Sequence, residues 1–381
     1  MASSSVASVA SPSAPSFASA RVRRRYGHRG TVLARAQAPN DVASLVTLDR
    51  ALKQIADDRK KNANAAALWI DVAGARVRLP RGRPWGFVHF VGGAVLGAYP
   101  EVAYDSWLSR VADACDVVVV ATPFELGTDH EAIAKDVKAM YSRARVEVCA
   151  QEGLDVRAAP TFRVGHSLGC KVLTLLACED EDANADVVDV DAASGAISMA
   201  SSSKDDMTQG YFLVAFNNAS ASDSVMLIEK FARELLKNRA SGGDNAAAFD
   251  FLKTLPSIAS FAERAAKAAG FDFKPSPEDT LERVRRKFSA KKTRMLKFTD
   301  DELGMDQNEA LVAALRARFE VYPGTVDTQE IEGNHLTPVF FTLEGMKLSP
   351  ALERVVGDFS LGDAKGVNRL ADALVSWIRE R

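Results

Sequence analysis

The stretch Thr161–Ala177, TFRVGHSLGCKVLTLLA, constrains what this chain can fold into more than any other. A β-prone run, TFRV, passes within a few residues into an apolar run with helical character, KVLTLLA. The turn between them reads Gly165-His166-Ser167-Leu168-Gly169. A backbone that reverses from strand to helix so abruptly leaves no room for side chains beside the apex, hence the glycines. The apex residue is held in a strained conformation that lifts its side chain above the carboxyl edge of a sheet. Ser167 at that apex is either a nucleophile or only a polar residue in a tight turn, and its surroundings decide between the two.

Those surroundings alternate between strand and helix. LWIDV and ARVRLP read as short strands, the second with the apolar–polar alternation of a half-buried one. GFVHFVGG is a strand ending on two glycines, and DVVVVATPF is a β-branched run of the kind covered on both faces. Between them, Trp107, Leu108, Val111 and Ala114 have helical spacing. A second helix is expected from Thr128, with Thr128 as cap and Glu131 completing a capping box. Later strands are expected in YFLVAFNN, RMLKFTDD and FEVYPGTVDTQEI, with a closing amphipathic helix in GVNRLADALVSWIRE. The pattern predicts one α/β domain over 39–381, a mostly parallel sheet with helices on both faces. Residues 219–292, too long for a connection and helical in character, are expected to form a lid inserted before the penultimate strand. Ser276 and Pro277 would start the last helix of that insertion. The acidic run from Cys178 to Asp206 reads as a solvated loop.

Composition narrows the function classes. The 381 residues are 47% hydrophobic with a net charge of −2, so no global basic field argues for nucleic acid. Cys115, Cys149, Cys170 and Cys178 show neither CxxC spacing nor clustered histidines, which predicts free buried thiols and no metal. No apolar run reaches the roughly 18–20 residues of a membrane helix. Residues 1–38 are rich in Ser, Ala and Arg and lack Asp and Glu. Such a segment is expected to be a transit peptide, directing the protein to the plastid stroma rather than the mitochondrion.

A serine hydroxyl needs a base oriented by an acid to become a nucleophile. In a sheet with this turn the order is serine, acid, histidine. Of the five histidines only His335, in EGNHLTP, follows Ser167, and it comes after the last expected strand. His28 lies in the N-terminal segment, His89 within a strand, His130 at a helix start, and His166 too close to the serine to take its proton. The acid should follow the penultimate strand, where RMLKFTDDELGMD offers Asp301, with Asp300 and Asp306 as alternatives. An oxyanion hole needs two backbone N–H groups. Leu168 supplies one, and Gly93 or Ala94 in the double-glycine loop supplies the other.

With these residues in place the chain resembles an α/β-hydrolase-like "domain of unknown function" family of plants and cyanobacteria. The resemblance covers roughly residues 65–345 and rests on HFVGGAVLGAYP, ATPFELGTDHEAIA, GHSLGCKV, FLVAFNN, FKPSPEDT, LKFTDDELGMD and NHLTP. It implies an α/β-hydrolase fold and plastid residence in eukaryotes, and it implies no substrate. The acidic stretch near 179–191 departs from the family's more compact form.

Further residues have a functional and a structural reading each. Asp129 and His130 at one strand end, and Asn217 and Asn218 at another, either line a pocket or serve helix-start and turn chemistry. Eight basic residues between Arg283 and Lys297 form either a solvated face or a surface for an anionic substrate or acidic lipid. The expected activity is hydrolysis of an ester or thioester of a small acyl substrate, a lipid among the options, with no cofactor and with peripheral membrane contact left open. The competing reading from another class is a non-catalytic binding or scaffold protein on the same fold. A dinucleotide-binding reading of GGAVLGA fails, because Ala94 stands where a glycine is required and Pro100 interrupts the expected helix.

Overall fold

The structure, a computed structural model, describes residues 69–94, 96–179, 186–190, 197–201, 207–220, 273–342 and 360–380. The N-terminal segment 1–38 and residues 221–272 of the expected insertion lie outside these.

Eight strands build the central sheet: β1 (Trp69–Val72), β2 (Ala75–Arg78), β3 (Gly86–Val91), β4 (Val117–Ala121), β5 (Thr161–His166), β6 (Thr208–Val214), β7 (Lys292–Phe298) and β8 (Thr325–Ile331). Their order across the sheet is β1-β2-β4-β3-β5-β6-β7-β8. β2 pairs antiparallel with both its neighbours, and every pairing from β4 to β8 is parallel. The helices are α1 (Pro100–Ala103), α2 (Asp105–Cys115), α3 (His130–Glu152), α4 (Leu168–Glu179), α5 (Pro277–Lys287), α6 (Met305–Phe319) and α7 (Ala364–Arg379). This is the α/β-hydrolase fold.

Period-2 alternation sorts each strand between two cores. On β3, Val88 and Phe90 face the layer of α2 and α7, whereas Val91 faces that of α3, α4, α5 and α6. In α7, Val367, Leu370, Ala371, Leu374, Trp377 and Ile378 form one apolar stripe, all 1% exposed or less. Burying a side chain such as Leu374 contributes about 2 kcal/mol, so the stripe fixes the helix on the sheet.

Three segments differ from the sequence expectation. FEVYPGTVDTQEI is a strand only from Thr325; its Phe319 ends α6, a helix whose many alanines blur its apolar period. The acidic run contains an antiparallel hairpin, Asp186–Val190 with Ile197–Ser201. The end of the expected lid, α5, belongs to the layer covering the sheet: Val284 and Phe288 are fully buried in the core that also holds Val172 and Leu176 of α4 and Leu311 of α6. Its start is as expected, with Ser276 Oγ accepting from Asp279 N–H at 3.0 Å and Pro277 in the first turn.

Among the described residues no helix is long and apolar enough to cross a membrane.

Candidate active site

β5 delivers Ser167 directly. Its φ of +54° lies in the left-handed region, a strained place for a residue with a side chain. Three backbone hydrogen bonds hold it there. Ser167 N–H donates to Val214 O at 3.0 Å, and Ser167 O accepts from Cys170 N–H at 3.0 Å and Asn217 N–H at 3.3 Å. The turn is as tight as the glycines imply: a Cβ on Gly169 would lie 2.1 Å from Val91 O and 2.5 Å from Gly92 O.

Two loops at the same edge bring the partners. Thr299 N–H donates to Ile331 O at 3.1 Å and Asp300 N–H to Gly333 O at 2.9 Å, so the loops after β7 and β8 run side by side. In the second loop Asn334 Oδ1 accepts from Leu336 N–H and Thr337 Oγ1 from Asn334 N–H, a self-bonded turn that presents His335. His335 Nδ1 lies 3.0 Å and 3.1 Å from the two Asp301 oxygens, and His335 Nε2 lies 2.9 Å from Ser167 Oγ. Burial disfavours charge on Asp301, but the His335 ring and the Leu303 N–H outweigh it and hold the carboxyl below its ordinary range. An ionised Asp301 accepts from Nδ1–H, which leaves Nε2 to accept from the serine hydroxyl. The three are 8%, 3% and 1% exposed, so water does not compete for these bonds.

The other acids are elsewhere. Asp300 is exposed, and Asp306 is exposed in the first turn of α6. Asp301 alone faces the imidazole because Asn308 folds its loop inward. Asn308 Oδ1 accepts from Phe216 N–H at 3.0 Å while its Nδ2 donates to Gly304 O at 2.6 Å.

The oxyanion expectation narrows. The turn after β3 abuts the nucleophile, since a Cβ on Gly93 would lie 3.3 Å from Ser167 Cβ. The Gly93 N–H, however, donates to Tyr104 Oη at 3.0 Å and is not available to an oxyanion. The amides of Leu168 and Ala94 have no partner among the described residues, and these two fit the requirement. Sequence reasoning missed Tyr104 and Asn308. Neither carries a local motif, and their contacts span 62 and 92 residues.

Each of the pocket candidates has a partner within the fold. Asp129, not Thr128, caps α3, accepting from Ala132 N–H at 2.9 Å. Glu131 pairs with Arg283 rather than closing a capping box. His130 is buried with its ring 4.5 Å from that of Phe273. Asn217 Oδ1 bonds Ala219 N–H and Asn218 Nδ2 bonds Pro277 O, which makes them turn residues. His89 is fully buried, bonded to Thr122 and Arg163 and stacked on Tyr141 at 4.1 Å. Of the eight basic residues, Arg283, Arg285, Arg286, Lys292, Arg294 and Lys297 face Glu131, Glu282, Glu380, Asp327 or Glu330. A run that looks cationic in sequence is largely neutralised in space. All four cysteines are buried and none is in a disulfide. Burial raises the pKa of Cys170, the one beside the turn.

A model of one family, described as a protein of unknown function (DUF1350), matches residues 68–190 and 197–379. The chain belongs to this family. The match takes in every strand of the sheet and all three residues of the Ser167–His335–Asp301 chain. No curated protein matches. Solved structures similar to the chain include the Francisella virulence factor BioJ, at 14% identity and a TM-score of 0.46, covering 89% of this chain and 94% of that one. A thermophilic esterase from Thermogutta terrifontis has 12% identity and a TM-score of 0.42, covering 82% and 98%. Carboxyl esterase 2 from the fungus Tuber melanosporum has 12% identity and a TM-score of 0.40, covering 79% and 80%. Likeness at this level carries no argument about activity; the fold rests on strand order and the turn.

Proposed function

We infer that the protein is a serine hydrolase that cleaves a carboxylic ester or thioester through an acyl-enzyme. One observation carries this reading: an unbroken hydrogen-bonded path from the Ser167 hydroxyl through the His335 imidazole to the Asp301 carboxylate, with both steps near 3 Å.

In the proposed reaction Ser167 Oγ attacks the substrate carbonyl carbon while His335 Nε2 takes its proton. Asp301 keeps the imidazole in the required tautomer and stabilises the imidazolium. The carbonyl oxygen gains charge and is met by the Leu168 and Ala94 N–H groups, whose orientation is fixed in advance. His335 then protonates the leaving alcohol or thiol, which departs as the acyl-enzyme forms. Water, deprotonated by the same nitrogen, attacks the acyl carbon; the bond to Ser167 Oγ then breaks, His335 returns the proton to that oxygen, and the carboxylic acid departs. His335 alone carries the proton in both halves of the cycle, and Asp301 stays ionised throughout.

A lipid or acyl-thioester substrate is the class we favour, on the sequence length and helical character of the insertion after β6. For residues 1–38 we propose a plastid transit peptide, on composition; fractionation of cells expressing the tagged full chain tests it.

A fluorophosphonate probe tests the reading without knowledge of the substrate. Labelling of the protein that disappears in Ser167→Ala supports it. Absence of Ser167-dependent labelling contradicts it.

A further inference from the structure

Two polar side chains beside the nucleophile stand outside the proton path, yet both are buried and bonded at each end. Tyr104 is 1% exposed and His166 2%. Tyr104 Oη accepts from Gly93 N–H at 3.0 Å and lies 3.0 Å from His166 Nδ1. His166 Nε2 lies 2.9 Å from the His335 carbonyl oxygen, which only accepts. Nε2 therefore carries the imidazole proton, Nδ1 is bare, and the tyrosine hydroxyl donates to it. A backbone donor at one end and a backbone acceptor at the other set the direction of all three bonds.

Electrostatics keep the chain in that state. Burial and the nearby His335 ring push the pKa of His166 down to about 3, against a smaller opposing effect of its bond to the His335 carbonyl. Burial raises that of the Tyr104 hydroxyl. His166 is thus neutral across the ordinary pH range. That matters because its ring centroid is 5.1 Å from that of His335. A second cation there would oppose the imidazolium that His335 must form.

We propose that Tyr104 and His166 are positioning residues for the Ser167 reaction, tying the Gly93–Ala94 turn to the His335 turn so that oxyanion donor and base address Ser167 together. The inference rests on the hydrolase reading. Neither side chain touches the reacting atoms: one sets where the Gly93–Ala94 backbone lies, the other where the His335 backbone lies. Removing the tyrosine hydroxyl frees the Gly93 N–H and leaves His166 Nδ1 without its donor. The ring of a phenylalanine would still pack against Phe90, whose centroid is 4.8 Å away.

The test compares wild type, Tyr104→Phe, His166→Leu, His166→Gln and Ser167→Ala. It measures the second-order rate of fluorophosphonate labelling and kcat and KM on a p-nitrophenyl ester. Small misplacements of catalytic groups cost up to about 100-fold in rate. We expect Tyr104→Phe to slow labelling about tenfold and His166→Leu about 100-fold, through kcat rather than KM. His166→Gln, whose amide offers one acceptor and one donor, should recover much of the loss. A Tyr104→Phe rate equal to wild type, or a glutamine no better than leucine, overturns the proposal. A second readout uses 15N-histidine spectra of the intact protein. His166 should appear as the neutral Nε2–H tautomer, and Tyr104→Phe should shift the ring nitrogens of His335. If wild type is not labelled at Ser167 the hydrolase reading fails. Ring nitrogens of His335 unmoved by Tyr104→Phe overturn the link between the turns whatever the labelling shows.

Discussion

Replacing Gly169 by alanine sets two effects against each other whose sizes follow from the structure. Gly169 is the second residue of α4, and alanine in a helix is favoured over glycine by up to about 1 kcal/mol. Against this, the new Cβ would lie 2.1 Å from Val91 O, 2.5 Å from Gly92 O and 2.6 Å from Val91 C. Ordinary carbon–oxygen contacts begin at roughly 3.3 Å, so the end of β3 or the start of α4 must move by about 1 Å. The obstructing atoms are all backbone and cannot rotate aside. Overpacking of this kind, backbone shifts included, costs about 1–3 kcal/mol, so the clash outweighs the helix gain by about 1 kcal/mol and by up to about 2 kcal/mol. The displaced segment leads straight into Gly93 and Ala94, which adds a kinetic consequence: a movement of about 1 Å at a positioning group slows a reaction on the order of 100-fold. Urea unfolding and the labelling rate, measured on the same preparations, check both halves. Gly127→Ala is the control, because among the described residues its Cβ would meet only Ile133 Cδ1 at 3.9 Å. That variant should stay within about 0.5 kcal/mol of wild type. A Gly169→Ala protein with wild-type stability and wild-type labelling would refute the packing argument.

Asp301→Asn keeps the size of the side chain but removes the charge that selects the Nδ1–H tautomer of His335. Labelling should slow by roughly 1,000-fold or more, while thermal unfolding shows the fold retained. A loss below tenfold would mean that another group orients the imidazole. The buried neutral His166 should also shape acid stability. Its folded pKa of about 3 lies below the unfolded value of 6.5, so between those values the unfolded chain binds the extra proton. Stability from this group is complete above pH 6.5 and is lost as pH falls towards 3, at up to about 1.4 kcal/mol per pH unit. Asp301, with its lowered pKa, adds a loss of the same sign only at more acid pH. Urea midpoints between pH 7 and 5 should therefore fall in wild type and change less in His166→Gln. Parallel slopes would show that His166 takes up its proton alike in the folded and the unfolded chain.

Much of the sheet was legible because its central strands are β-branched runs and its turn needs glycine for steric reasons. That Ser167, Asp301 and His335 would meet was legible because chain order on such a sheet leaves few choices, and only one histidine follows the serine. What stayed hidden depends on contacts between distant segments. Nothing near Tyr104 indicates that its hydroxyl would take the Gly93 N–H, so sequence left Gly93 and Ala94 equivalent. The basic run left open a surface for an anionic ligand because most of its carboxylate partners, Glu131, Asp327, Glu330 and Glu380, come from distant segments, with only Glu282 one turn away. The helix α5 read as part of a lid because its strongly charged outer face masks the few residues, Val284 and Phe288 among them, that anchor it in the core.

Whether Ser167 is a nucleophile activated by His335 is read out by fluorophosphonate labelling of the purified protein followed by mass spectrometry of the modified peptide. One phosphonyl adduct is expected, on Ser167, formed in wild type, absent in Ser167→Ala and strongly slowed in His335→Ala. An unmodified Ser167, or labelling at an undiminished rate without His335, would contradict that activation.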